Sequence, residues 1–339
     1  MIGGGATAGA MSTATTTSTT TGTSTGGPST TVEASTAGML SSSSGDGPRL
    51  DLGVGDDMGG GNGCSKIDFV FAIDASAWMK ENYAGLEAAL PHFIDAIDEV
   101  FPNVDLHIIV ANTSGMWGTW KCPINLCSLE EGCQEIGEPD YPCDVVHEIE
   151  EMPKCDRTFG AGVTFPTGRD ATNSRCELVG GRRYLTREEP DLKGSFLCIA
   201  SQGYAARYEA TGWASGRALN YDLNRPGGCN DGFFREDAHL VVIAISFAGS
   251  FDGGYNPKVW ADAVLDAKGG EQDAVSLIAL LNDTRLGGKP CYEPTSKHQL
   301  FAYSEYFEHR LVRNLCDEAL EEDFDAGMEM VRAQCEAAR

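Results

Sequence analysis

Four short runs along the chain are apolar at nearly every position: Phe69 to Ile73, Val104 to Val110, Leu240 to Ile245 and Val275 to Leu281. Runs of that length without polar alternation are buried on both faces, which predicts strands of a mostly parallel sheet held between helix layers. Between the first two, Leu86, Leu90, Phe93, Ile94, Ile97 and Val100 recur at spacings of three and four. That spacing predicts a helix with one core-facing stripe, kinked at Pro91. Val259, Ala263 and Leu265 behind Asn256-Pro257 predict a second helix, entered through a first-turn proline. Phe324, Met328, Val331 and Cys335 predict a third helix at the end of the chain, with those side chains in the core. Strand alternating with helix gives the fold class: α/β, an open, mostly parallel sheet flanked by helices on both faces and joined by right-handed crossovers.

Two stretches break this pattern. Residues 1–63 carry Thr, Ser and Gly tracts such as Thr15 to Thr21 and Ser41 to Ser44, with too few large apolar side chains to offset the entropy of ordering. They are expected to form a disordered tether, ending at the glycine cluster Gly59 to Gly63, with an ordered domain over 64–339. Within that domain, residues from about 115 to 193 are rich in Cys, Gly, Pro and charge. A loop of such length is expected to be a disulfide-stapled, partly irregular insertion near one end of the sheet.

Fifty acidic against twenty-five basic residues give a formal charge of −25. Such a potential repels phosphate backbones and anionic membranes, so nucleic acid is not expected as a partner. Twelve cysteines, Cys64, Cys122, Cys127, Cys133, Cys143, Cys155, Cys176, Cys198, Cys229, Cys291, Cys316 and Cys335, include no CxxC pair. That usage fits disulfides formed in an oxidising compartment rather than a zinc site. No stretch is apolar for long enough to span a bilayer. The Gly/Ala-rich opening residues lack a secretory pattern, so the expectation is an extracytoplasmic protein whose signal peptide or lipid-anchor segment lies upstream of Met1.

The run Lys66 to Ser76, with Asp74-Ala75-Ser76 ending a buried strand, is the most informative segment. Together with Phe196 to Ala200, Gly227 to Ala238 leading into Leu240 to Ile245, and Arg313 to Cys316, it resembles a von Willebrand factor A-type domain. The likeness runs from about Cys64 to the C-terminus, and is closest to the Cys-rich versions of exported bacterial proteins with Ser/Thr/Gly-rich leaders. It implies a metal-ion-dependent adhesion site built on Asp-x-Ser-x-Ser, a threonine and a second aspartate around Mg²⁺ or a similar cation.

Carried across, Asp74 and Ser76 match the first Asp and first Ser, while Trp78 stands where the second Ser belongs and an indole cannot ligate a cation. The threonine position falls on Trp213, two residues from Thr211. The second Asp position falls on Ser246-Phe247, with Asp252 the nearest carboxylate. A degenerate site is therefore expected, with Asp74, Ser76, Thr211 and Asp252 as the residues able to serve and Asp74 and Ser76 otherwise acting as turn formers. No tightly held cofactor is expected. The resemblance also implies that Cys64 and Cys335 join the two ends of the domain.

Enzyme chemistry has little foothold. Ser201 in Ile199-Ala200-Ser201-Gln202-Gly203 is a near miss to Gly-x-Ser-x-Gly but follows a helical pattern. His92, His107, His147, His239, His298 and His309 show no ligand spacing. The expected function is that of an exported, non-enzymatic binding or adhesion module with a protein or matrix ligand. The alternatives are a structural cell-envelope component and, behind it, a hydrolase with an unrecognised site.

Overall fold

A computed structural model describes residues 63–114, 153–166, 171–172, 174–203, 210–247, 256–287, 298–317 and 319–337. The expected tether, most of the insertion, Asp252, His147 and Cys122, Cys127, Cys133, Cys143 and Cys291 lie outside the described residues. Six strands form one sheet in the order β3-β2-β1-β4-β5-β6. They are β1 (Lys66–Ile73), β2 (Asp105–Val110), β3 (Leu185–Thr186), β4 (His239–Ser246), β5 (Val275–Leu281) and β6 (Arg310–Asn314). Every pairing is parallel except β2 with β3. The four apolar runs are β1, β2, β4 and β5, the four inner strands. Every residue of β4 and β5 is buried, as expected for strands covered on both faces.

Strand periodicity splits the core in two. Phe69, Phe71 and Ile73 face one layer, Val70 and Ala72 the other. The first layer is made by α1 (Lys80–Val100), α2 (Leu192–Ala200) and α7 (Leu320–Ala337); α3 (Thr211–Ala218), α5 (Pro257–Ala267) and α6 (Gln299–Ser304) make the second. A one-turn helix, α4 (Tyr221–Asn224), follows α3. In the first layer Phe93 meets Phe71 edge-on at 4.6 Å and Phe324 at 5.5 Å, so three sequence-distant elements converge on one ring. The stripe Leu86, Leu90, Phe93, Ile94 and Ile97 is buried, and α1 passes through Pro91 as one helix.

The helix expected behind Asn256-Pro257 is α5, with proline in its first turn. Trp260, Ala261 and Val264 are buried while Val259 is 49% exposed. The large area of the indole favours turning its face inward. Its neighbour across the layer is Gly212 of α3, where an added Cβ would lie 2.4 Å from the Trp260 ring. Glycine there lets the start of α3 press onto α5.

Disulfides join Cys64 to Cys335, Cys155 to Cys229 and Cys176 to Cys198, and Cys316 is also disulfide-bonded. The first is the pairing that the resemblance implies. It ties Cys64, two residues before β1, to the last helix, while Cys155–Cys229 fastens the described end of the insertion to the loop before β4. At the amino ends of the strands, Asp68 is fully buried and accepts from Arg235 Nε and Arg235 N, both at 2.8 Å. Burial raises its pKa to about 6 against the opposing pull of Arg235.

Candidate functional site

Strand order reverses between β1 and β4, so the crevice outside their carboxyl ends is the topological switch point of the sheet. Asp74 sits there, 2% exposed, with its amide donating to Ile245 O at 2.8 Å. Its carboxylate joins both strand ends. Oδ1 accepts from the Ser76 amide at 2.8 Å, and Oδ2 accepts from Ser246 Oγ at 2.9 Å and from the Phe247 amide at 3.2 Å. The Ser76 contact is the turn expected of an Asp at a strand end.

Beyond Asp74, Ser76 leads into a short 3₁₀ turn over Ala77–Met79. Met79 is fully buried beneath it, while Trp78 is 49% exposed on the rim. From the other side, Thr113 Oγ1 donates to Ile73 O at 2.9 Å, and the Ala210 amide donates to Thr113 O at 2.9 Å. Those two bonds bring the start of α3 beside the end of β1. Thr211 is fully buried, and neither its hydroxyl nor that of Ser76 has a protein partner.

The crevice continues past β5. The Asn282 amide donates to Ser246 O at 3.3 Å. Next to it Asp283 is bound by Arg285, with Nε to Oδ1 at 2.8 Å and an Nη to Oδ2 at 2.6 Å, and it also accepts the His298 amide at 3.2 Å. Burial pushes the Asp283 pKa up, but Arg285 outweighs it and holds the carboxyl below its usual range. His298 is 1% exposed; burial lowers its pKa to about 4, against the pull of Asp283, so the ring is neutral. No short-range motif marks these groups. They meet because parallel strands end side by side.

Asp74, Ser76 and Thr211, three of the expected residues, thus gather around one strand end, and Asp252 lies outside the described residues. The two unpartnered hydroxyls suit a hard cation. The remainder of the set does not. Among the described residues Asp74 is the one carboxylate at this spot, and its oxygens already accept three protein hydrogen bonds. Ser246 occupies the second acidic position and spends its hydroxyl on Asp74, while Trp78 offers no oxygen. Among the described residues, one occupied carboxylate with neutral hydroxyls does not make up a tight Mg²⁺ set, because Mg²⁺ gives up its water only to well-placed charged oxygens.

Ser201 follows α2, and its hydroxyl lies 3.4 Å from Glu87 Oε1 rather than against an imidazole. Four of the described histidines pair elsewhere: His92 with Asp325, His107 with Phe233 O, His239 with Ser276 and His309 with Asp273. Among the described residues no helix is long and apolar enough to cross a membrane.

No family model matches the chain, and no curated protein matches it. Among solved structures, proximal thread matrix protein 1 from the mussel byssus is similar at 12% identity and a TM-score of 0.37, over 80% of this chain and 49% of that one. The pilus adhesin SpaC from Lactobacillus rhamnosus GG is similar at 8% identity and a TM-score of 0.36, over 80% of this chain and 31% of that one. The chain therefore spans about half the length of the byssus protein and less of the adhesin. A mostly parallel sheet with one antiparallel edge strand fits a von Willebrand factor A-like fold.

Proposed function

We propose that the protein is an extracytoplasmic, non-enzymatic binding module of the von Willebrand factor A type. Its protein or matrix ligand docks on the crevice at the Asp74 end of the sheet, without a tightly held metal. The observation that carries this reading is Trp78, a half-exposed indole on the crevice rim two residues past Ser76 and directly before the buried Met79. An aromatic side chain left in solvent beside a switch-point crevice is the residue type that dominates binding energy at interfaces. Beneath it, Asp74, Ser246 and the turn amides form a rigid floor. The disulfides support an oxidising location.

The test is adhesion of the full chain to immobilised matrix proteins and cell-wall fractions, comparing wild type with Trp78→Ala in the presence and absence of EDTA. Trp78→Ala is expected to weaken capture by about tenfold or more, and EDTA to leave it unchanged. Capture indifferent to Trp78, or none on any surface, rejects the reading in favour of a structural component with no ligand at this face.

A further inference from the structure

The opposite end of the sheet carries a second constellation. Asp273 lies in the 3₁₀ turn Gln272–Ala274 that enters β5; Glu308 and His309 lie in the turn that enters β6. β5 and β6 are parallel neighbours, and the Leu277 amide donates to His309 O at 2.9 Å, so the two entrances lie side by side. One ligand atom from each of Asp273, Glu308 and His309 falls within a cluster no wider than 4.8 Å.

The backbone beneath the cluster is fixed by Gln272. Its Nε2 donates to Tyr306 O at 3.1 Å and its Oε1 accepts from the Glu308 amide at 3.2 Å. One side chain thereby sets the spacing of both turns before any ligand arrives, which lowers the cost of organising a site. Asp273 also lines a cleft of about 340 Å³ whose wall includes Glu236, Asp237, Glu271, Lys66 and His239. Four carboxylates against one lysine make that cleft a cation-attracting space.

His239 also lines this cleft, 7% exposed, with its Nε2 2.9 Å from Ser276 Oγ.

We infer that Asp273, Glu308 and His309 form a site for a divalent transition metal of the zinc class, beside the basal cleft that Asp273 also lines. Imidazole selects zinc-class ions over Mg²⁺ and Ca²⁺, and carboxylates complete the set. Zinc draws such ligands to about 2.0–2.2 Å from the metal, so the 2.8 Å contact between His309 Nε2 and Asp273 Oδ1 opens and both atoms turn to the ion. The bound ion would clamp the entrance of edge strand β6 to β5. This site is at the far end of the strands from Asp74 and stands apart from the proposed crevice function.

The experiment is calorimetric titration of zinc into the full chain after removal of metal with EDTA. One saturable site is expected, weakened at least about tenfold by Glu308→Gln and by His309→Gln, and unchanged by Asp74→Ala. Zinc should also raise the melting temperature of wild type and not that of His309→Gln, with the metal-free variants melting alongside metal-free wild type. Cobalt(II) bound to wild type gives a second readout, since low-coordinate ligation by nitrogen and oxygen produces visible bands that octahedral aquo-cobalt lacks. Absence of saturable zinc binding, binding untouched by both substitutions, or equal affinity for calcium each overturns the inference.

Discussion

Ser246 donates its hydroxyl to Asp74 Oδ2 at 2.9 Å, joining the carboxyl ends of the two strands that flank the switch point. Where the resemblance implies a second carboxylate around a cation, this chain has a neutral donor that satisfies the first. Geometry at the crevice is thus kept by hydrogen bonds within the protein.

Removing the acceptor should loosen both strand ends. Asp74→Ala leaves the amides of Ser76 and Phe247 and the Ser246 hydroxyl without their partner in a buried place. A loss of about 2–4 kcal/mol in unfolding free energy is expected, and Ser246→Ala should lose less, because it deletes one neutral donor and leaves the backbone bonds intact. Denaturant titration of the three proteins checks the order.

Restoring oxygens should restore a cation. The double substitution Trp78→Ser with Ser246→Asp supplies a hydroxyl and a carboxylate beside the free hydroxyls of Ser76 and Thr211. It is expected to bind Mg²⁺ at least about tenfold more tightly than wild type, measured by calorimetry. Equal affinities would show that the crevice is not held in ligating geometry.

Acid stability should reflect two opposed groups. His298, neutral when folded with a pKa of about 4 against 6.5 unperturbed, gives stability that is full above 6.5 and lost as pH falls towards 4. Asp68 runs the other way. Its folded pKa of about 6 exceeds the unperturbed 3.8, so its contribution is full below 3.8 and lost as pH rises to about 6. Each is worth of the order of 3 kcal/mol at its limit. Between pH 6.5 and 4, His298→Gln should flatten the loss of stability and Asp68→Asn should steepen it, as read from denaturation midpoints across that range.

The Cys64–Cys335 bond closes a loop of sequence separation 271. Cys64→Ser with Cys335→Ser is expected to lower stability by about 3–5 kcal/mol while leaving the sheet intact by circular dichroism. Peptide mapping without reductant should recover the two cysteines in one linked pair from wild type.

The inner sheet was legible because β1, β2, β4 and β5 are covered on both faces and so carry apolar runs broken at few positions. The edges were not. β6 reads Arg-Leu-Val-Arg-Asn with its first and fourth residues exposed, and β3 is only two residues long, so neither produces an apolar run. Around the crevice, Asp74 and Ser76 announced themselves by following a buried strand. The strand end at Ser246 was visible too, as the residue that closes an apolar run. Arg285 and His298 were illegible, as were Asp273 and His309, 36 residues apart. Such groups are neighbours through strand registry, which no local spacing records.

The covalent link between Cys64 and Cys335 also has a mechanical meaning. β1 is an inner strand, and a pull arriving from the residues before Cys64 would otherwise tear it from β2 and β4. With the bond in place, that load divides at Cys64 and passes straight into α7. The hydrogen-bonded ladder then sits in parallel with a covalent path, so traction arriving at Cys64 strains the clasp before it unzips the fold.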